Sequence, residues 1–160
     1  MRPPTWRDYE AIHDVETAAF GREAEAVLAK RVRDEGDALV ELVAEENGEI
    51  VGHIVFSRMT TQPPERRLAG LAPVAVRPDA QGRGIGDALC RAGIEAVRAL
   101  GAEAVVVLGD PKYYERFGFS AEAAARIASP YAGNPAFMAL ELVAGSLAEP
   151  VAANYPPAFG

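Results

Sequence analysis

The residues with the most evident chemistry lie at Gln81-Gly82-Arg83-Gly84-Ile85-Gly86. Glycines at alternate positions allow a tight turn and leave no Cβ between the peptide N–H groups and an approaching ligand, so several donors can converge on one anion. Ile85, Leu89, Ala92 and Ala96 then recur on one helical face as far as Leu100. The glycines therefore open a helix, whose first N–H groups lack intrahelical partners and whose dipole favours negative charge. Taken alone, the stretch reads either as a phosphate site or as a tight strand-to-helix connection. A dinucleotide fingerprint would place a third glycine where Asp87 stands, and a P-loop would need Gly-Lys followed by Ser or Thr, so both of those readings weaken.

The elements around the turn follow from hydropathy. Asp8 to Phe20 carries Tyr9, Ile12, Val15 and Ala19 at helical spacing, with Gly21 as its stop. Arg22 to Glu35 repeats the pattern with Ala24, Val27, Leu28 and Val32, and ends at Gly36. From Leu39 the period changes to that of a strand, followed by the turn dipeptide Asn47-Gly48 and a second strand from Ile50 to Met59. Pro63 to Arg67 is a polar connection, and Leu68 to Val76 is a third strand that feeds the glycine turn. Ala104 to Leu108 is a short unbroken apolar run, as in a strand covered on both faces. Strand, glycine turn, helix and strand form a β-α-β unit with parallel strands and a right-handed crossover, which together with the hairpin gives a mixed sheet. Pro73 has no N–H to give a ladder, so pairing is interrupted there by a bulge, an edge or a parting of strands beside the glycine turn. Asp110-Pro111 begins a helical turn, Ala121 to Ile127 is ambiguous, Phe137 to Val143 reads as a strand, and the tail from Gly145 to Gly160 reads as extended and weakly specified.

At 160 residues the chain is one domain, 1–160, with neither an internal repeat nor a linker. A net charge of −7, with no basic run longer than Arg66-Arg67, argues against nucleic acid as a partner. The acidity serves solubility and tolerates a cationic substrate. The long apolar runs of a signal peptide or membrane span are missing, which points to a cytoplasmic protein with no membrane partner. The single Cys90 has no disulfide partner and no neighbours at metal-ligand spacing, so no metal is expected. Among Leu89, Ile94 and Val97 it reads as a small buried hydrophobe.

Gln81 to Gly86, followed after a strand by Tyr114-Glu115-Arg116-Phe117-Gly118-Phe119, resembles the two sequence motifs of the GNAT superfamily of acyl-CoA-dependent N-acetyltransferases, in their usual order. Gly52-His53-Ile54, Leu71 to Val76, Val107 to Pro111 and Tyr155 to Phe159 are similar, more narrowly, to its bacterial YhbS-like branch, so the resemblance covers nearly the whole chain. It implies an α/β fold with a mixed, mostly antiparallel twisted sheet flanked by helices. It implies acetyl-CoA as co-substrate and a primary amine, on a small molecule or a protein, as acceptor. The pantetheine arm would lie along Val74, Ala75 and Val76. The diphosphate would sit beside Gln81 on the N–H groups of Gly82, Arg83, Gly84, Ile85 and Gly86, with the Arg83 side chain as a further cation. Tyr114 of the second motif would be the general acid for the leaving thiolate, Asp87 would be structural, and Tyr113, Phe117 and Phe119 would pack.

Leu71 to Val76 offers no Glu, Asp or His where many relatives carry a base. His53 and Glu23 are the remaining candidates for that role. The family's usual first strand is vestigial or absent, since only Met1 to Thr5 precede the first helix, and Leu108-Gly109-Asp110 stands where an Asn is common. A non-catalytic acyl-CoA sensor is the alternative function, and exposed sheet edges would allow a homodimer.

Overall fold

The computed structural model describes residues 1–160, and its elements follow the hydropathy pattern closely. Helices α1 (Tyr9–Phe20) and α2 (Ala24–Asp34) come first, followed by the hairpin of β1 (Ala38–Glu46) and β2 (Glu49–Arg58). Asn47 and Gly48 have φ of 52° and 79°, the left-handed pair that a tight hairpin requires. Next come β3 (Thr60–Gln62), β4 (Leu68–Val76), α3 (Ile85–Ala99), β5 (Ala104–Leu108) and the short α4 (Pro111–Tyr114). β6 (Ile127–Ala128), β7 (Phe137–Glu141) and β8 (Val151–Asn154) complete the chain. None of the helices is long and apolar enough to cross a membrane.

The main sheet has the order β1-β2-β4-β5-β7, antiparallel except for the β4–β5 pair. It is thus the mixed, mostly antiparallel sheet flanked by helices that the resemblance implies. One face is covered by α3, whose Leu89, Cys90, Ile94 and Val97 pack on Ile54, Phe56, Leu71 and Val105. A Cβ on Gly93 would overlap the Phe56 ring, so glycine is what lets α3 sit this close to β2. The other face is covered by α1, where Ile12 and Val15 meet Val43 and Ala75, and by α2, where Ala29 and Val32 meet Val55.

Two features of β4 set up the site. It pairs with β5 only at Leu68, Ala69 and Gly70, so from Leu71 to Val76 its β5-facing edge has no strand partner. Against β2, the pairs Ile54–Val74 and Phe56–Leu71 leave one extra residue on β4, a bulge centred on Ala72-Pro73. The strands part from Leu71 onward, and the bulge at Ala72-Pro73 follows directly.

The N-terminus makes a single bridge in place of a first strand: Arg2 N–H donates to Val43 O at 3.1 Å, and Val43 N–H returns to Arg2 O at 2.8 Å. The tail departs from expectation. Val151–Asn154 is a strand at the centre of a second, three-stranded sheet, β3-β8-β6. Its Val151 and Ala153 are buried, but an alternation of four residues between prolines is too short to stand out in the sequence. Beyond it, Ala158 and Phe159 pack on α2.

Candidate active site

The free edge of β4 and the glycine turn form the walls of one cleft of about 480 Å³. Val74, Ala75 and Val76 line it on one side; Gln81, Gly82, Gly84 and Gly86 line it on the other. Gly82 and Gly84 have φ of 78° and 84°, and a Cβ built on either would meet no atom within 4 Å. The space before the turn is therefore open, and L side chains are disfavoured there by the backbone itself. The N–H groups of Gly82, Arg83 and Gly84 donate to no acceptor in the protein. Together with the first turn of α3 they are a set of uncommitted donors suited to a diphosphate. The Gln81 amide anchors the turn by donating to Val76 O at 3.0 Å.

Arg83 and Ile85 contribute only backbone here. The Arg83 guanidinium turns to Glu46, 3.0 Å away on β1, rather than to the cleft wall, and the Ile85 side chain packs beside Gly52. The cation that does line the cleft is Arg116, from the second motif. Its Nη1 donates to both oxygens of Asp87, at 3.2 and 3.0 Å, and its guanidinium lies 4.5 Å from the Tyr113 ring centre. Burial works to raise the Asp87 carboxyl, but bonds from Arg116 and Tyr113 prevail and hold it below the ordinary range. Asp87 thus clasps the second motif to the first, and it also lines the cleft. Tyr113 does more than pack, because it forms part of the cleft wall with its hydroxyl beside Gly86.

Tyr114 packs just beyond the end of β5 and, unlike Tyr113, does not line the cleft. Its ring rests on Gly109, just after β5, edge-on to Tyr113 at 5.0 Å and Phe119 at 5.9 Å. Tyr155, packed on Gly70 of β4, is near enough to be influenced by it. Burial pushes the Tyr114 hydroxyl well above the usual phenol range, so it carries its proton at neutral pH. Burial likewise pushes the Cys90 thiol up to about 12, which fits an inert core residue rather than a nucleophile. Asp110 accepts from Lys112 N–H at 3.0 Å and so caps α4.

His53 is fully buried, on the face of the sheet away from α3, and both its ring nitrogens are engaged. Nδ1 lies 2.6 Å from Glu16 Oε2 on α1, and Nε2 lies 2.6 Å from Glu41 Oε2 on β1. Arg33 of α2 grips Glu41 in turn, Nε to Oε1 at 2.9 Å and Nη2 to Oε2 at 2.5 Å, and stacks 3.9 Å from the Tyr9 ring centre. Burial alone would push the imidazole down, but its two carboxylate partners outweigh this and raise it. With a donor role at both nitrogens, His53 has no lone pair free to accept a proton. Glu16, by contrast, is raised by burial in spite of its bond from His53. Burial would also raise Glu41, but His53 and Arg33 hold it below the ordinary range.

Glu23 is exposed at the start of α2 and faces His13 at 3.6 Å, with no tie to this network. The sequence reading does not anticipate Glu16 and Glu41 as the partners of His53. The available signal is positional: Glu16 follows Ile12 at helical spacing on the apolar stripe of α1, and Glu41 interrupts the run Leu39-Val40-Glu41-Leu42-Val43.

Residues 6–119 match the model of the acetyltransferase (GNAT) family. The chain is 41% identical over 116 residues to YjhQ, and 36% over 102 residues to YhbS, both named as uncharacterized N-acetyltransferases of Escherichia coli K12. These alignments cover 70% and 63% of this chain but only 64% and 61% of the relatives' own lengths, under two thirds of each. Among solved structures, Escherichia coli YhbS in complex with CoA superposes with a TM-score of 0.91 at 30% identity, over 99% of this chain and 89% of that one. A GNAT family acetyltransferase from Brucella melitensis in complex with acetyl-CoA gives 0.84 at 33% identity, over 99% and 96%.

Proposed function

The chain belongs to the acetyltransferase (GNAT) family, and on that premise we propose that it transfers an acetyl group from acetyl-CoA to a primary amine of a small molecule or a protein. The observation that carries this reading is the unpaired edge of β4 from Leu71 to Val76, running into a glycine turn whose N–H groups have no acceptor. An extended amide-bearing arm satisfies such an edge as a strand would, and a diphosphate satisfies the turn. That two structural relatives are in complex with CoA and with acetyl-CoA supports acetyl-CoA as the ligand.

Acetyl-CoA supplies an activated thioester. Val74 to Val76 hold its arm in line, the glycine turn fixes its phosphates, and Arg116 adds positive charge to the cleft wall. A free alkylammonium titrates near pH 10, so the site must favour a neutral amine. As the amine nitrogen bonds to the acetyl carbon and the C–S bond breaks, the thiolate needs a proton. Tyr114, which keeps its proton at neutral pH, is the proposed donor. Alignment of amine and thioester supplies the rest of the acceleration.

Calorimetric titration with acetyl-CoA, paired with a thiol-release assay over a panel of primary amines, tests the reading. Binding with turnover is expected. Binding without turnover on any amine would favour an acyl-CoA sensor, and no binding would remove both readings.

A further inference from the structure

A second cleft, of about 520 Å³, opens at the opposite end of α3 from the glycine turn. Met59, Leu68, Val97 and Ala102 give it an apolar floor, and Leu100 beside them is 58% exposed. Arg58, the last residue of β2, and Arg67, just before β4, line it as well. These two arginines differ from the others. Every other arginine of the chain donates to a carboxylate or carbonyl oxygen or lies over an aromatic ring. The guanidinium groups of Arg58 and Arg67 do neither, in a chain whose net charge is −7, and both belong to the same cleft.

Their backbones are fixed while their donors stay uncommitted. Arg58 N–H donates to Asp37 O at 2.8 Å, and Arg67 O accepts from Glu103 N–H at 2.8 Å. Arg67 Nη1 lies beside Gly101, where a Cβ would meet it at 2.9 Å, so part of its charge offsets the negative end of α3. The other charged groups of the cleft are Arg66 and Glu65. Arg66 is committed, its Nε donating to Glu103 at 2.9 Å and its Nη2 to Ser146 O at 2.5 Å. Glu65 forms an ion pair with neither Arg58 nor Arg67, which leaves two free cations against one carboxylate.

We propose that this cleft binds a small organic anion, its carboxylate or phosphate head held by Arg58 and Arg67 and its apolar body lying on Met59, Leu68, Val97 and Leu100. The planar fork of a guanidinium matches either head group, and the apolar floor selects against a bare inorganic ion. The site is separate from the cofactor cleft: the two have no lining residue in common, and the 15 residues of α3, about 22 Å, lie between them. It is also unsuited to a pantetheine arm, because β4 is paired with β5 here, at Leu68, Ala69 and Gly70, and offers no free edge. The proposal does not depend on the acetyl-transfer reading.

The test is an NMR titration of the full chain, following backbone amide shifts, with octanoate, octyl phosphate, inorganic phosphate and octylammonium as probes. Octanoate or octyl phosphate should move the amides of Arg58, Arg67, Leu68 and Leu100, and the tighter of the two identifies the head group. Inorganic phosphate should bind about tenfold more weakly or worse, since it leaves the floor uncovered, and octylammonium should not move these amides. Arg58→Ala and Arg67→Ala, both exposed positions, should each weaken the anion about three- to tenfold and together about 10- to 100-fold, with acetyl-CoA affinity unchanged within about twofold. Inorganic phosphate binding as tightly as the octyl anions would mean an adventitious ion only and overturn the proposal. So would octylammonium binding equally well, an unaffected double variant, or no shift at millimolar anion. Shifts confined to the glycine turn would also overturn it, placing the anion in the cofactor cleft and leaving the acetyl-transfer reading intact.

Discussion

The two faces of β4 are built by opposite means. On the α3 side the cleft is mainly backbone between Leu71 and Gly86, a free strand edge, a left-handed glycine turn and N–H groups without acceptors, to which Asp87, Tyr113 and Arg116 add side chains. On the α1 side lies a network of buried side chains drawn from four elements, none of them lining the cleft, with Glu16 and His53 separated by 37 residues, Glu41 and His53 by 12, and Arg33 and Glu41 by 8. A site made of backbone can hold any ligand with the same phosphates and amides, so it suits a shared cofactor.

Substitutions on the two faces should therefore act differently. The largest effect is expected beside the cleft: Tyr114→Phe should lower kcat by about 10² to 10⁴ with acetyl-CoA binding intact, as steady-state kinetics and titration would record. Unchanged turnover would remove its acid role. Gly84→Val places a β-branched residue at φ 84°, a strain on the order of 1–3 kcal/mol, and should weaken acetyl-CoA binding about 10- to 100-fold. If turnover fell but affinity held, the glycine turn would not be the phosphate grip.

Arg116→Ala should weaken acetyl-CoA binding about three- to tenfold, less so at high salt, because the lost group is an exposed cation. Arg83→Ala, whose guanidinium faces Glu46, should stay within about twofold. The reverse order would mean that Arg83 swings into the cleft on binding.

The smallest effect is on stability. The His53 value is raised in the fold, so its contribution is complete below its ordinary 6.5 and is lost as pH rises through the folded value. Glu16 is also raised, so its ionisation disfavours the fold in the same direction. Thermal melts should fall by a few degrees between pH 6 and 9, and Glu16→Gln should flatten that slope. A wild-type melting temperature constant across this range would indicate that the network does not change charge.

What the sequence disclosed follows the same division. The helices, the hairpin at Asn47-Gly48, the β-α-β unit and the glycine turn are legible because each is specified by neighbouring residues. Pro73 marked the opening of the sheet for the same reason, since a missing N–H is a local fact. His53 attracted notice as a lone titratable residue, but its double engagement was not visible because Glu16 and Glu41 lie on other elements. Arg83 is nearer to the glycines along the chain but turns to Glu46, whereas Arg116, distant in sequence, lines the cleft. The strand at Val151–Asn154 was missed because its partners, β3 and β6, are themselves only three and two residues long.

Hydrogen exchange with and without acetyl-CoA tests the cofactor face most directly. The amides of Gly82, Arg83 and Gly84 have no protein acceptor and should exchange rapidly in the free protein. Acetyl-CoA should slow exchange at these amides, and along Val74 to Val76, more than anywhere else. Protection centred instead on the cleft formed by Arg58, Arg67 and Leu100, with none at the glycine turn, would contradict the account.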